Sequence, residues 1–454
     1  MRPSSYNILV NVDKENDRYA IINGYAYTFD IVNKDVYQYL KTPDQAPALS
    51  DRTVEKLVRR GYLTSLTEDE EKELVRRITD KQHENARLKR FNFHFIMSYD
   101  CNLRCIYCYE NNVLNGCSGP SKQKITREQI DKAFETIEEK ANNSQSSGRI
   151  CLYGGEPFLA ENRDVLTYIV ERGMAIKHGF SVISNGYDLD HYFDFLEDKV
   201  NLFSFQITLD GVEDIHNQNR PHCRKQDSFE KITANVDRLL KMGIRISIRI
   251  NTAADGLERM DELMKLFEDK GWNQMKNFNA YWALLREEVD SMKKVTLKQI
   301  DLVRAFAEKK EKGEIIQRVD CQDYGVYYTV KQLLEGKPIP YKGHFCGAQS
   351  GNIIFDPLGD MYSCWDMVGQ PEHKIGTYIP EFQISEHGFS QWFDKKVSDY
   401  KCAKCKYVLF CGGGCYIRDM KNTHEPAPGN CSQFPILFNH SLKQLYADSI
   451  QPNF

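Results

Sequence analysis

The sequence predicts an α/β protein: a partial parallel barrel with a small domain before it and a cysteine-rich domain after it. Three observations predict this. From Phe91 to about residue 310, short strand-like runs alternate with amphipathic helical stretches. The first 90 or so residues have a different texture, strands first and then helices. The region after residue 340 is dense in Cys and Gly and shows little periodicity. A length of 454 residues accommodates about three domains.

In the first region, Tyr6–Val12 and Tyr19–Val32 carry strand-forming residues, with a tight turn expected at Asn23-Gly24. Val36, Tyr37, Tyr39 and Leu40 suit a helix; Val54, Leu57 and Val58 suit a second one ending near Gly61. Tyr62-Leu63 reads as a short wing, and residues 68–90 as a charged, solvated helix with Leu74, Val75 and Ile78 on one side, leading into the barrel. Six strands are expected in the barrel region: Phe91–Met97, Ile150–Tyr153, Phe180–Ser184, Leu202–Thr208, Ile244–Ile250 and the weaker Met275–Leu285. Thr126 and Gln129 form a capping-box pattern before Ile130, Phe134 and Ile137. Leu257, Met260, Met264 and Phe267 mark one further helix.

Composition narrows the function. Hydrophobic content of 41% and charged content of 27% are ordinary for a globular protein. A net charge of −4 names no polyanionic partner, so no nucleic acid is expected. No run of about 18 apolar residues predicts a membrane span, and Met1–Tyr6 has no signal-peptide pattern. A cytoplasmic protein without a membrane partner is expected. The unusual number is fourteen cysteines. In a reducing compartment, clustered cysteines read as metal ligands or redox groups.

Cys101, Cys105 and Cys108 form C-x3-C-x2-C directly after the strand Phe91–Met97. A structural zinc wants four ligands. Three cysteines leave one iron of a 4Fe–4S cluster open to a small molecule. This spacing resembles the signature of the radical S-adenosylmethionine (SAM) superfamily. The resemblance implies that the open iron chelates the amino and carboxylate groups of SAM, whose C–S bond is cleaved to give a 5′-deoxyadenosyl radical. Tyr107 stands where that family has an aromatic near the adenine. Tyr153-Gly154-Gly155-Glu156-Pro157 resembles its GGEP stretch, with Glu156 expected to accept from the SAM amino group. Ser184-Asn185-Gly186 resembles the ribose-contacting strand end, and Thr208-Leu209-Asp210-Gly211, then His216 to Arg220, the next one. The cofactor-binding residues implied are Tyr107, Gly154, Gly155, Glu156, Ser184, Asn185 and Arg220. The implied fold is a partial (β/α)6 TIM-like barrel, and these features fall at the C-terminal ends of its strands, where barrel sites lie.

The second cysteine group begins at Cys346, continues with Gly359 and Cys364 as G-x4-C, then Cys402, Cys405, Cys411 and Cys415 as C-x2-C-x5-C-x3-C, and ends at Cys431. It resembles the SPASM domain, a C-terminal extension that binds two auxiliary 4Fe–4S clusters. By that pattern Cys346, Cys364 and Cys415 hold the inner cluster; Cys402, Cys405, Cys411 and Cys431 hold the outer one. The fourth inner position is left to Cys321 or stays open. A pair of zinc ribbons is the competing reading. Cys151 is expected to be a small apolar strand residue; Cys117 and Cys223 have no assigned role.

The N-terminal region resembles the recognition element of enzymes that mature RiPPs, the ribosomally made and post-translationally modified peptides. Such winged-helix domains bind a leader peptide by β-augmentation. The layout then reads as residues 1–90 recognising a leader, 91–310 a radical SAM core, 311–339 a helical bridge and 340–440 the SPASM domain. The expected function is installation of a thioether or C–C crosslink in a precursor peptide, with three 4Fe–4S clusters, SAM and an external electron donor such as flavodoxin or ferredoxin. The enzymatic rival is an anaerobic sulfatase-maturating enzyme. Its family carries a catalytic Asp directly after the G-x4-C cysteine, where this chain has Trp365, with Asp366 one place on. The non-enzymatic rival is an iron–sulfur or zinc scaffold or electron-transfer protein.

Overall fold

Runs such as Phe-Ser-Phe-Gln-Ile-Thr alternate large apolar residues with small or polar ones, and the chain pairs them into one sheet with the apolar side outward under helices. The computed structural model describes residues 1–110, 122–143, 148–285, 297–417, 431 and 433–450. Its chain divides into two compact units: residues 88–322 with 351–393, and residues 1–87 with 323–350 and 394–454.

The first unit is built on eight consecutive parallel strands: β1 (Asn92–Ile96), β2 (Arg149–Tyr153), β3 (Gly179–Ser184), β4 (Phe203–Thr208), β5 (Arg245–Thr252), β6 (Phe278–Leu284), β7 (Val319–Cys321) and β8 (Asn352–Phe355). Their spatial order is β7-β6-β5-β4-β3-β2-β1-β8, followed by three short antiparallel strands, Asp360–Tyr362, Gly376–Thr377 and Gln383–Ile384. The six expected strands are thus present, five within two residues of their expected ends and the sixth beginning three residues late at Phe278, and the mixed α/β architecture holds. Helical crossovers such as Arg127–Asn143, Arg163–Ala175 and Phe229–Lys241 make the parallel pairing possible. The capping box forms as read: Thr126 N donates to Gln129 Oε1 at 2.8 Å, and Gln129 N to Thr126 Oγ1 at 3.2 Å.

Two sequence readings of this unit differ from the structure. The region after 340 supplies β8, which pairs in parallel with β1 through Asn352–Asn92 and Ile354–His94. The single helix expected over Leu257–Phe267 is two, Ala254–Glu258 and Met260–Asp269, broken at Arg259. There the backbone leaves helical geometry, and the guanidinium bridges Asp214 at 2.6 Å and Glu262 at 2.7 Å.

The second unit opens with an antiparallel sheet of Asn7–Asp13, Arg18–Asn23 and Phe29–Val32, in that order. Asn23 shapes its turn by accepting from Tyr25 N and Ala26 N. Helices Lys34–Lys41 and Asp51–Arg59 follow, and the expected wing is Leu63–Thr64 paired with Arg2–Pro3. The helix Glu68–Ala86 is not solvated all round. Glu71, Val75, Thr79 and His83 form a buried stripe at intervals of four. Glu71 is buried at no net loss of partners: Arg2, Ser4, Ser5 N and Tyr25 all donate to it. Residues far apart in sequence close this unit. Tyr6 donates to Ala403 O and Tyr27 to Leu409 O, both at 2.8 Å, and Tyr6, Val75, Val397, Val408 and Leu409 share one core.

Candidate active site

The site forms where β1 to β5 end. After β1 the chain turns into the loop carrying Cys101, Cys105 and Cys108, and this loop is pinned on both sides. Glu156 N donates to Asp100 O at 2.8 Å, and Arg104 N, Ile106 N and Cys223 N exchange backbone hydrogen bonds with Pro221, Asn219 and Asn102. The turn after β2 approaches so closely that only glycine fits. Gly155 has φ +52°, and a Cβ there would lie 2.3 Å from Asp100 O. Gly154, at φ +83°, packs against Ile96 in the same way.

One cavity gathers Cys101, Cys105, Tyr107, Cys108, Gly154, Gly155, Glu156, Ser184, Asn185 and Arg220. Every residue the sequence assigned to cofactor binding in the barrel therefore lines it. The three thiols are held above their ordinary range, in each case by burial first; Cys105 then raises Cys101, Glu110 and Cys105 raise Cys108, and at Cys105 itself Arg220 pulls down against Asp210. A cationic iron cluster relieves this by taking all three as thiolates. Cys101 Sγ also accepts weakly from Leu103 N at 3.4 Å and Asn185 Nδ2 at 3.6 Å.

Glu156 is fully buried, and burial pushes its carboxyl up to about 7. It accepts from Asn185 N at 2.6 Å, Ser184 Oγ at 2.8 Å and Phe158 N at 2.9 Å. Three acceptor positions are filled by the chain, leaving room for about one outside donor. So Glu156 first organises the strand end after β3, and only its last position faces a ligand.

Tyr107 is placed by its hydroxyl as much as by its ring. The hydroxyl donates to Asp210 Oδ2 and receives Arg220 Nη1 at 2.7 Å and Asn251 Nδ2 at 3.1 Å. Asp210 is presented by a turn that His216 fixes: Asp210 N donates to His216 Nδ1, and His216 Nε2 meets Ser228 Oγ at 3.1 Å. Arg220 is buried, and its Nε has no partner among the described residues. A buried, cationic donor without a partner suits a carboxylate such as that of SAM.

Among the lining residues that went unassigned from sequence are Glu110, Gln206, Arg249 and Asn251. Glu110 is buried beside the loop, accepts from Gly155 N at 2.8 Å and from Tyr109 at 3.2 Å, and burial raises it to about 7. Arg249 and Asn251 did leave a signal. In β5, Ser247, Arg249 and Asn251 alternate with Ile246, Ile248 and Ile250, which is a strand with one polar face. Trp365 and Asp366 also line the cavity; Trp365 packs on Tyr153 at 4.7 Å, and Tyr153 stacks with Tyr109 at 6.3 Å.

The second cysteine group is placed as follows. Cys402, Cys405, Cys411 and Cys431 lie near one another: the thiols of Cys402 (to about 11), Cys405 and Cys411 (to about 12) are raised by burial first, and Cys431 adds to all three. Cys346 and Cys415 belong to the same unit as these four, Cys364 to the barrel unit. Cys321 ends the edge strand β7, and Cys151 faces the barrel interior opposite His94. Cys223 is exposed, and Cys117 lies outside the described residues.

Residues 95–267 match the model of the Radical SAM superfamily. Over 373 residues the chain is 22% identical to the cysteine-type anaerobic sulfatase-maturating enzyme of Clostridium novyi, covering 77% of this chain and 94% of that one. The fold is similar to the solved structure of anSMEcpe with bound AdoMet and Kp18Cys peptide, with a TM-score of 0.59 and 19% identity over 79% of this chain and 99% of that one. It is also similar to Streptococcus suis SuiB bound to precursor peptide SuiA, with a TM-score of 0.55 and 13% identity over 95% of this chain and 99% of that one. The chain carries a radical SAM domain and is an enzyme. Among the described residues no helix is long and apolar enough to cross a membrane.

Proposed function

We propose that this radical SAM enzyme matures a ribosomal precursor peptide by installing a thioether or C–C crosslink, recognising the peptide's leader through residues 1–87. The observation that carries the reading is the strand Phe29–Val32, which among the described residues pairs only with Arg18–Asn23 and leaves its other edge without a strand partner. An open edge in a winged-helix-like module is what β-augmentation uses. SuiB, whose structure was solved with a precursor peptide, shares the fold over 95% of this chain, against 79% for anSMEcpe, and this supports the assignment of the N-terminal residues.

In this reading Cys101, Cys105 and Cys108 hold a 4Fe–4S cluster that, with SAM bound, supplies a 5′-deoxyadenosyl radical for hydrogen abstraction. The chain's residues do the rest. Arg220 orients a carboxylate through its partnerless Nε, and Glu156 offers its remaining acceptor position to an amino group. Asp210 and Asn251 hold Tyr107 in place. Tyr109, Tyr153 and Trp365 form an aromatic wall that keeps water from the reacting side chain. Cys402, Cys405, Cys411 and Cys431 hold an auxiliary cluster.

A second reading is maturation of a sulfatase. It is favoured by Asp366, which lines the cavity despite its displacement by one place from the cysteine. One experiment separates the two. Reconstituted enzyme is given SAM, reductant and either a leader-bearing precursor or a sulfatase-derived peptide. Crosslinked product, two hydrogens lighter, from the precursor alone supports the first reading; formylglycine in the sulfatase peptide alone overturns it.

A further inference from the structure

In the second compact unit the N-terminal residues are clamped onto one short segment, 402–411, which carries three of the four outer cysteines. The segment has little regular structure of its own: the end of a short 3₁₀ turn at Lys401–Lys404 and a single helical turn at Val408–Cys411. Every third carbonyl along it meets the N-terminal residues. Tyr6 donates its hydroxyl to Ala403 O at 2.8 Å. Gly24 lies so close to Lys406 O that a Cβ there would stand 2.1 Å from it. Tyr27 donates its hydroxyl to Leu409 O at 2.8 Å and stacks its ring on Phe410 at 4.4 Å. Cys402 and Cys405 pack against the core that Tyr6 and Val75 share with Val408 and Leu409. Gly24 and Tyr27 belong to the turn that starts the open edge strand, since residues 23–28 join Arg18–Asn23 to Phe29–Val32. Gly24 N donates to Tyr6 O at 2.9 Å, and Asn23 N to Thr28 O at 3.1 Å, closing the turn at its base. Tyr27 adopts φ +51°, a left-handed conformation that is costly for a bulky side chain. Such a conformation persists where its surroundings over-determine it, and here 409–410 fix both the hydroxyl and the ring.

We infer that the outer cysteine set and the leader-binding edge are coupled through Gly24 and Tyr27, so that ligation at Cys402, Cys405, Cys411 and Cys431 positions the strand Phe29–Val32 for a leader peptide. The inference rests on the reading of that strand as the leader's edge and of the four cysteines as ligands. With their thiolates on a common metal group, the four residues fix 402–411 as one piece, because metal binding and local folding are linked. The carbonyls of Ala403 and Leu409 then hold Tyr6 and Tyr27, and Lys406 O limits where Gly24 can lie. Released, the segment is held by short turns alone, Tyr27 relaxes from its left-handed conformation, and the edge strand loses its fixed start. Linkage makes the effect reciprocal: a leader bound at the edge strengthens the set's hold on its metal by the same factor. Tyr27 is thus a positioning residue, acting on the leader through the turn.

The test uses the reconstituted holoenzyme. The variants are Cys431→Ala, which removes the exposed outer ligand beyond 402–411, Tyr27→Phe, which removes only a hydroxyl, and the two combined. The probe is the synthetic, fluorescein-labelled peptide product of the short reading frame nearest this chain's gene. Anisotropy reads its affinity, mass spectrometry reads amide exchange over residues 20–32, and elemental analysis reads iron. Cys431→Ala is expected to lose about four irons, to exchange faster over 20–32 and to bind the peptide about tenfold more weakly. Tyr27→Phe keeps its iron and weakens binding by a smaller factor. The double variant is no worse than Cys431→Ala, because both changes act through one turn. Saturating peptide slows the loss of iron from the unaltered enzyme to a chelator. Equal affinity and equal exchange in Cys431→Ala, despite the lost iron, overturn the coupling, and so do losses that simply multiply in the double variant. The chelator measurement removes no ligand, and peptide that leaves iron loss unchanged overturns the coupling by itself. Unaltered enzyme that binds no peptide, while exchange over 20–32 still follows iron content, overturns the leader reading alone. Unaltered enzyme with no metal beyond the first cysteine group overturns the ligand reading and the inference with it.

Discussion

Tyr107 donates its hydroxyl proton to Asp210 Oδ2 at 2.6 Å, tying the cysteine loop after β1 to the turn after β4. The same oxygen receives Arg220, so one phenol holds an anion and a cation in a buried site. Tyr107→Phe removes the link and leaves both charges short of a partner. A stability loss of about 1–3 kcal/mol is expected, with SAM bound several-fold more weakly. Urea denaturation and equilibrium dialysis with labelled SAM read the two effects. Unchanged SAM affinity would show that the ring alone matters.

Gly155→Ala should be more damaging than its size implies. The new methyl would stand 2.3 Å from Asp100 O and 2.8 Å from Ser98 O, and φ +52° is itself costly for alanine. The loop must shift, so reconstituted iron at the first cysteine group should fall along with melting temperature. Full iron loading would contradict this account.

The pH dependence of the apo chain follows from Glu156. Its folded pKa is raised by burial to about 7 from an ordinary 4.5. A raised carboxyl stabilises the fold fully below 4.5 and loses that contribution as pH rises through 7. Glu156→Gln cannot ionise, so relative to the unaltered chain it should gain on the order of 1–3 kcal/mol between pH 5 and pH 8. Urea titrations of both chains at these two pH values check it, and a constant difference would mean the carboxyl does not titrate in this window.

The open strand edge can be tested without deleting the N-terminal residues, which share a core with Val408 and Leu409. Thr28 O accepts from Asn23 N, inside the sheet, while Phe29 O accepts from Arg60, outside it. Alternation then turns Ile31 N–H outward. Ile31→Pro removes that donor and spares the ladder. A leader peptide should bind about tenfold more weakly, as read by fluorescence anisotropy, with melting temperature changed by only a few degrees. Unaltered affinity would place leader recognition elsewhere.

Iron content tests the cysteine assignments. Three 4Fe–4S clusters correspond to about twelve irons per chain. Cys411→Ala should lose about four while retaining SAM cleavage, since Cys411 belongs with Cys402, Cys405 and Cys431. Cys364→Ala should lose a comparable amount from the inner set. Zinc in the unaltered chain with only about four irons would replace the auxiliary clusters by zinc sites.

Local chemistry made much of this protein legible in its sequence. Strand ends were readable because alternation stops where glycine or asparagine begins, as at Tyr153-Gly154 and Ser184-Asn185, and the cysteine spacing placed three thiols on one loop. What the sequence could not contain was the meeting of remote segments. Glu156 reads as a free carboxylate until β2 and β3 stand side by side, when Ser184 and Asn185 fill most of its acceptor positions. Glu110 and Asn251 enter the cavity only because β1, β2 and β5 share one sheet. The N-terminal residues read as a separate domain, yet Tyr6 bonds Ala403 and Tyr27 bonds Leu409 within one compact unit. Periodicity and spacing record which side of an element is apolar. Pairing across hundreds of residues is decided by burial and hydrogen bonding in three dimensions, and there the tertiary structure alone determined which residues share a core and which share the site.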